Sequence, residues 1–321
     1  MAEPHASSEE VDRESRRRRK LGIPLIAAGA LFVLSAVTAS SVFSSAPSVS
    51  LTRALMPALT GRALPAVSAR TERIRYFSHH SLALIAGSVM LTAALAIASL
   101  AVLVLWEAAR SRRASIFRPA RILILVGLPF AAVPVANSVL GAVETHRFAV
   151  GHDHSLAAAD RALSSGTIFT VLALLGVILG LAFAIGIGNA SLNAMRVGLV
   201  PRWMGVFGLF VAVALVLLQA QGLSIIGGVW ALSLGLLYLG RLPGGDPPAW
   251  ASGEARPWPS AAEQREARQR AGATGGGARR SPRNDSKAAG AALDGPPQPV
   301  APTRTTPRVS AKRKRKRGAR G

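Results

Sequence analysis

Residues 167–190 read TIFTVLALLGVILGLAFAIGIGNA, residues 191–202 read SLNAMRVGLVPR, and residues 203–219 read WMGVFGLFVAVALVLLQ. The first run holds 24 residues without a charge. About 20 apolar residues carry a helix across the ~30 Å hydrocarbon core of a bilayer. Two apolar runs joined by a short linker bearing Arg196 and Arg202 read as a transmembrane pair. The rest of the chain is therefore read with lipid as its solvent.

The 321 residues carry a net charge of +22, and 50% of them are hydrophobic. A soluble domain can be equally apolar, so the clustering decides. Apolar residues form blocks between Leu21 and Leu239, while charges occupy the gaps and ends. The positive charge belongs to loops and tails rather than to a folded basic surface. Cysteine is absent, which excludes disulfides, thiolate metal sites and cysteine nucleophiles. The sequence has no Gly-rich phosphate loop, no HExxH and no GxSxG with a matching partner set. Hence it assigns no catalytic residue and no cofactor.

The expected fold class is an all-α integral membrane protein with six transmembrane helices and a disordered basic cytoplasmic C-terminal tail. Residues 1–20 form a basic N-terminal segment ending in RRRRK. Its acidic start sets it apart from a signal-peptide n-region, so the first span is read as uncleaved. The spans fall at about 21–43, 82–106, 122–143, 167–190, 203–220 and 223–239, which makes 21–240 the membrane domain. The last two form one run of about 37 residues, roughly 55 Å as a helix. That is too long for one crossing, so Gln219-Ala-Gln221-Gly222 is read as a hairpin. Pro129 and Pro134 are expected to kink the third span. Residues 44–80 read either as a surface-lying segment or as an exposed loop. Residues 241–321 are rich in Pro, Gly and Arg and cannot bury enough apolar surface to fold alone.

Lys and Arg near span ends prefer the cytoplasm. RRRRK, the arginines between Arg110 and Arg121, the Arg196/Arg202 linker and the tail from Arg241 then share one side. This places both termini in the cytoplasm of a cell-membrane protein. Arg70, Arg73 and Arg75 fall on the outer side and are outweighed. Trp106, Trp203 and Tyr238 fall at inner span ends, where aromatic rings serve as interfacial anchors.

None of the six spans carries Asp, Glu, Lys, Arg or His in its apolar interior. Ionisable groups in the membrane mark proton relays and ion paths, so a proton-coupled pump is disfavoured. Asn137, Asn189, Gln219 and Gln221 could line a path for a neutral solute, or simply bond to a neighbouring helix. Gly176, Gly180, Ala184 and Gly188 recur every four residues, a row that admits a second backbone within the molecule or in a homo-oligomer. His146, His152 and His154 are candidate metal ligands on the outer side, beside Asp153, although their spacing is no closed metal motif. Lys312, Arg313, Lys314, Arg315, Lys316 and Arg317 form a terminal cluster suited to anionic lipid headgroups or an acidic partner.

Residues 193–205, NAMRVGLVPRWMG, and 239–260, LGRLPGGDPPAWASGEARPWPS, carry a family likeness. They resemble a group of uncharacterised actinobacterial multi-pass membrane proteins. In that group an AMR-G-L-[TP]RFMG-like linker precedes a span, and a GRWPGG-PPAW…PWPS segment leads into a basic tail. Leu242 stands where that pattern has Trp. The resemblance implies the topology and no reaction. It also suggests that the second motif docks under the inner face, with Trp250 and Trp258 anchored at the interface.

The leading functional expectation is a non-enzymatic structural or interaction protein whose tail touches anionic lipid or a cytoplasmic partner. The alternative is a transporter or channel for an uncharged solute. A weaker alternative is an outer-face metal sensor.

Overall fold

The helix at residues 167–196 shows which solvent surrounds the fold. Most of its buried positions are small or polar: Gly176, Gly180, Ala184, Gly186, Ala190, Ser191, Asn193 and Ala194, with Phe183 and Ile187 the bulky exceptions. Its exposed positions are bulky aliphatics, among them Ile168, Val171, Leu174, Ile178, Leu181 and Ile185. Water would reverse this distribution. Hydrocarbon tolerates it, because helices in lipid associate by close packing of small residues.

The computed structural model describes residues 8–48, 56, 59–61, 70–113, 115–163, 167–217, 223–242, 245–258, 263, 265–266 and 269–270. Among them no strand occurs. The helices are α1 (Ser8–Ser44), α2 (Thr71–His79), α3 (Ser81–Arg112), α4 (Ala120–Leu125), α5 (Gly127–Val150), α6 (Leu156–Leu163), α7 (Thr167–Arg196), α8 (Arg202–Leu217), α9 (Leu223–Tyr238) and α10 (Pro248–Ser252). Four stretches are long and apolar enough to cross a membrane: Glu9–Ser44, Ser81–Arg112, Ala120–Val150 and Ala157–Arg196. Helices α8 and α9 have 16 residues each, about 24 Å at 1.5 Å per residue. All these helices belong to one unit, Met1–Ala262. The second unit, Glu263–Gly321, contains the i,i+4 pair Arg270–Glu266 at 3.3 Å.

Helix α3 packs against α1, α4, α5 and α7. Its buried face is rich in alanine, with Ala94, Ala98, Ala101, Ala108 and Ala109 beside Leu95, Val102, Leu105 and Trp106. Helix α1 lies along α9 through glycines spaced seven apart on both. A Cβ on Gly29 would stand 2.9 Å from the Gly228 carbonyl oxygen, and one on Gly228 2.9 Å from the Gly29 oxygen. A Cβ on Gly235 would meet the Gly22 oxygen at 3.1 Å. The two backbones therefore touch, which no larger residue permits.

Several expectations are corrected. Helix α1 starts at Ser8 rather than near Leu21. At 37 residues it is about 55 Å long, so its charged first turns project beyond the apolar part. The third span breaks into α4 and α5 at Val126. That break lies three residues before Pro129, whose ring crowds the preceding turn. Pro134 stays inside α5, beside an interhelical bond from the Thr92 hydroxyl to the Ala131 carbonyl at 2.6 Å. The third span also runs past Val143: α5 continues to Val150, and α6 follows. Ile74, Phe148, Ala159 and Ala162 form a small apolar cluster there. Finally, residues 245–258, assigned by composition to the tail, pack on the bundle.

Candidate functional site

Six helices enclose a cavity of about 390 Å³, within the roughly 300–1,000 Å³ usual for small-molecule pockets. Its wall takes Phe32 from α1, Leu95 from α3, Phe130 from α5, Phe183 from α7, Val211 from α8 and Trp230 from α9. No lining residue is ionisable. The small residues of the helix seams keep the space open. Ala36, Ala39, Ala98, Ala173, Gly176 and Gly227 all line it.

Polar residues inside this bundle follow two patterns. Ser88, Ser99 and Ser233 donate to carbonyls three or four residues earlier, at 2.8 Å each. Thr145 does the same at 2.7 Å. This is the usual way for a hydroxyl to satisfy itself without water. Ser35 of α1, Asn137 of α5 and Ser224 of α9 line the cavity and make no side-chain hydrogen bond among the described residues. The Trp230 Nε1 and Ser191 Oγ atoms are buried without a partner at one edge of the wall, where Gly208 separates them.

At the opposite end of the bundle a strap closes the helix ends. Arg112 is completely buried. Its Nε donates to the Ala249 carbonyl at 3.0 Å, and its Nη1 to the Ala108 carbonyl at 2.6 Å and the Ser111 hydroxyl at 3.2 Å. Glu14 Oε2 sits 2.9 Å from the same Nη1 as an ion pair, and Glu14 Oε1 accepts from Ser111 at 2.9 Å. Arg18, 4% exposed, pairs with Asp246 at 2.8 Å. Both guanidinium groups lie over the Trp250 ring, with Cζ 4.8 Å (Arg18) and 5.5 Å (Arg112) from its centroid. Cation–π attraction strengthens when the cation is desolvated, as both are here.

The strap also joins the two motifs that carry the family likeness. Trp250 Nε1 donates to the Leu199 carbonyl at 2.8 Å and Trp258 Nε1 to the Val200 carbonyl at 2.9 Å. Arg202 donates to the Trp258 carbonyl at 2.8 Å, and the Arg256 N–H to the Val197 carbonyl at 3.0 Å. Gly198, at φ +80°, presses against the Arg256 carbonyl where a side chain would not fit. Trp250 is therefore a buried clasp, 6% exposed, and not an interfacial anchor. Trp106 and Tyr238 are likewise buried. The Tyr238 hydroxyl donates to the Ala101 carbonyl at 2.6 Å. Of the three aromatic anchors expected, only Trp203 is exposed. Trp250 is buried by its place against Arg18 and Arg112, which spacing alone does not reveal.

The remaining sequence candidates are dispersed. Asn189 accepts from Asn193 Nδ2, at 2.9 Å on its backbone oxygen and 3.0 Å on its side-chain oxygen, and does not line the cavity. Gln219 and Gln221 lie outside the described residues, as do Lys312, Arg313, Lys314, Arg315, Lys316 and Arg317. Gly176 faces Val133, Gly180 faces Phe130, and Gly188 faces Leu209 and Ala212. With buried Ala184, this row is turned inward within one molecule. His146 and His152 are exposed. His154 tilts on Phe148 at 5.1 Å, and its Nε2 stands 3.2 Å from Arg75 Nη2, placed to accept. No group of three His, Asp or Glu able to hold a metal ion occurs among the described residues. Ser155 caps α6, its Oγ accepting from the Ala158 N–H at 3.3 Å, and Asp153 in turn accepts from Ser155. The Ser155 hydroxyl, then the Ser155 N–H at 2.9 Å, hold its carboxyl below the usual carboxylate range.

No protein-family model, curated protein or solved structure matches this chain.

Proposed function

We propose that the protein is a six-span cell-membrane protein that takes an uncharged, largely apolar molecule into its central cavity and carries it within or across the bilayer. The cavity is the observation behind this reading: four long helices and the shorter α8 and α9 wall it, and no ionisable side chain lines it. Charged cargo would need a counter-charge in a space of low dielectric, and none is offered. The short helices α8 and α9 act as the fifth and sixth spans, connected on the outer side. The arginine-rich helix ends and the strap face the cytoplasm, as the positive-inside rule favours. The likeness to actinobacterial multi-pass proteins supports the same topology.

Bulky replacements in the wall test the reading. Ala39→Phe and Ala173→Phe together fill much of the space. Native mass spectrometry of protein purified in mild detergent should find a neutral small molecule on the wild type and lose it from the double variant. Identical bound species on both would refute cavity binding.

The basic terminus supports a second role, contact with anionic lipid, on sequence grounds. Each Lys or Arg near such a surface is worth about 1 kcal/mol. Deleting residues 312–317 should weaken association of the purified protein with anionic vesicles while leaving neutral vesicles unaffected. Equal binding to both vesicle types before and after the deletion would remove this role.

A further inference from the structure

Resting on the cavity reading above, we infer that the occupant is a neutral amphiphile: an apolar body bearing one uncharged oxygen group, a hydroxyl or carbonyl, read by Ser35, Asn137 and Ser224. The cavity holds two chemistries. Phe32, Leu95, Phe130 and Phe183 offer only dispersion contacts and displaced water. Ser35, Asn137 and Ser224 supply polar atoms from three separate helices. Ser88, Ser99 and Ser233, elsewhere in the bundle, close on their own backbone at 2.8 Å. The cavity serines do not, although Ser35 has the carbonyls of the preceding α1 turn within reach of a rotamer change. A polar group facing an apolar wall is stabilised when something in the cavity bonds to it.

The chemistry of the three residues narrows the class. An Asn amide and two hydroxyls can donate and accept, but none can neutralise a charge. A phosphate or carboxylate would enter uncompensated. A pure hydrocarbon would leave all three groups unpaired. A hydroxyl or carbonyl oxygen on an apolar body meets both conditions. Discrimination against the oxygen-free analogue should be about tenfold, since one net hydrogen bond contributes up to ~1.5 kcal/mol and ~1.4 kcal/mol is tenfold in affinity.

Three photoreactive probes, each with a diazirine on a sixteen-carbon chain, separate the outcomes: an alcohol, an alkane and a phosphatidylcholine. Each is added to nanodisc-reconstituted full-length protein, irradiated, and mapped by peptide mass spectrometry. The alcohol is expected to label cavity residues such as Leu95, Val133 and Val211 about tenfold above the alkane. Asn137→Leu should lower alcohol labelling to the alkane level and leave alkane labelling unchanged. Should Asn137→Leu fail to fold, Ser35→Ala combined with Ser224→Ala gives the same comparison. Equal labelling by alcohol and alkane overturns the amphiphile assignment while the cavity reading stands. Phosphatidylcholine labelling that matches the alcohol also overturns it, assigning the space to bulk lipid tails. Labelling of the cavity by none of the three overturns both readings.

Discussion

Trp250 is the clasp on which the strap turns, and its removal gives a graded prediction. Trp250→Phe keeps most of the ring burial and both cation–π contacts but leaves the Leu199 carbonyl, accepted at 2.8 Å, without its donor. An orphaned buried acceptor costs about 1–3 kcal/mol, equivalent to roughly 5- to 150-fold in the closed-to-open ratio of the strap. Trp250→Ala also removes the ring from under Arg18 and Arg112, at 4.8 and 5.5 Å. Large-to-small aromatic replacement costs about 3–5 kcal/mol, roughly 150- to 5,000-fold. Limited trypsin digestion in mild detergent reads this opening at Arg241, just before the clasp, since the Arg256–Pro257 bond resists trypsin. The expected order of cleavage rates is wild type, then Phe, then Ala, while cleavage at Arg161, in α6 and away from the strap, stays constant. Equal rates for Ala and wild type would refute the clasp. Equal rates for Phe and Ala would assign the whole effect to the N–H and none to the ring.

Other predictions follow from single contacts. Gly29→Ala forces the α1 and α9 backbones apart and should cost about 1–3 kcal/mol, read as a lower midpoint of SDS-induced unfolding. Gly141→Ala, with nothing within 4 Å of its added Cβ, should be neutral or slightly stabilising, as Ala outranks Gly by about 1 kcal/mol in helices. Glu14→Gln leaves the buried Arg112 without its counter-charge and should cost about 3 kcal/mol. Glu9→Gln breaks only the exposed Arg13 pair and should be within about 1 kcal/mol of wild type in the same unfolding assay.

Much of the bundle was legible because lipid imposes a simple rule: long apolar runs become helices. The runs at 82–106 and 167–190 appear inside α3 and α7, which extend past them because polar residues continue a helix beyond the membrane core. The row Gly176, Gly180, Ala184 and Gly188 was legible as packing, since small residues at four-residue spacing share a face. The glycine pairs of α1 and α9 were not read, because each lies seven residues from its mate and only the antiparallel partner explains them. Asn137 was legible as a polar residue in an apolar run. Ser35 and Ser224 were not, since a serine in such a run ordinarily bonds to its own helix. The strap was hidden most fully. Its composition is that of a tail, and the bonds that hold it come from residues 14–18, 111–112 and 199–202, which no local pattern joins.

The position of the strap in the chain also orders biosynthesis. Arg18 and Arg112 emerge from the ribosome long before Asp246, Ala249 and Trp250, which complete their surroundings. Until then two guanidinium groups stay hydrated at the open end of an unfinished bundle. Completion of the nascent chain to residue 258 is what lets them desolvate. A product truncated before residue 245 would insert its helices and yet fail to seal, leaving a basic mouth open for quality-control proteases to recognise.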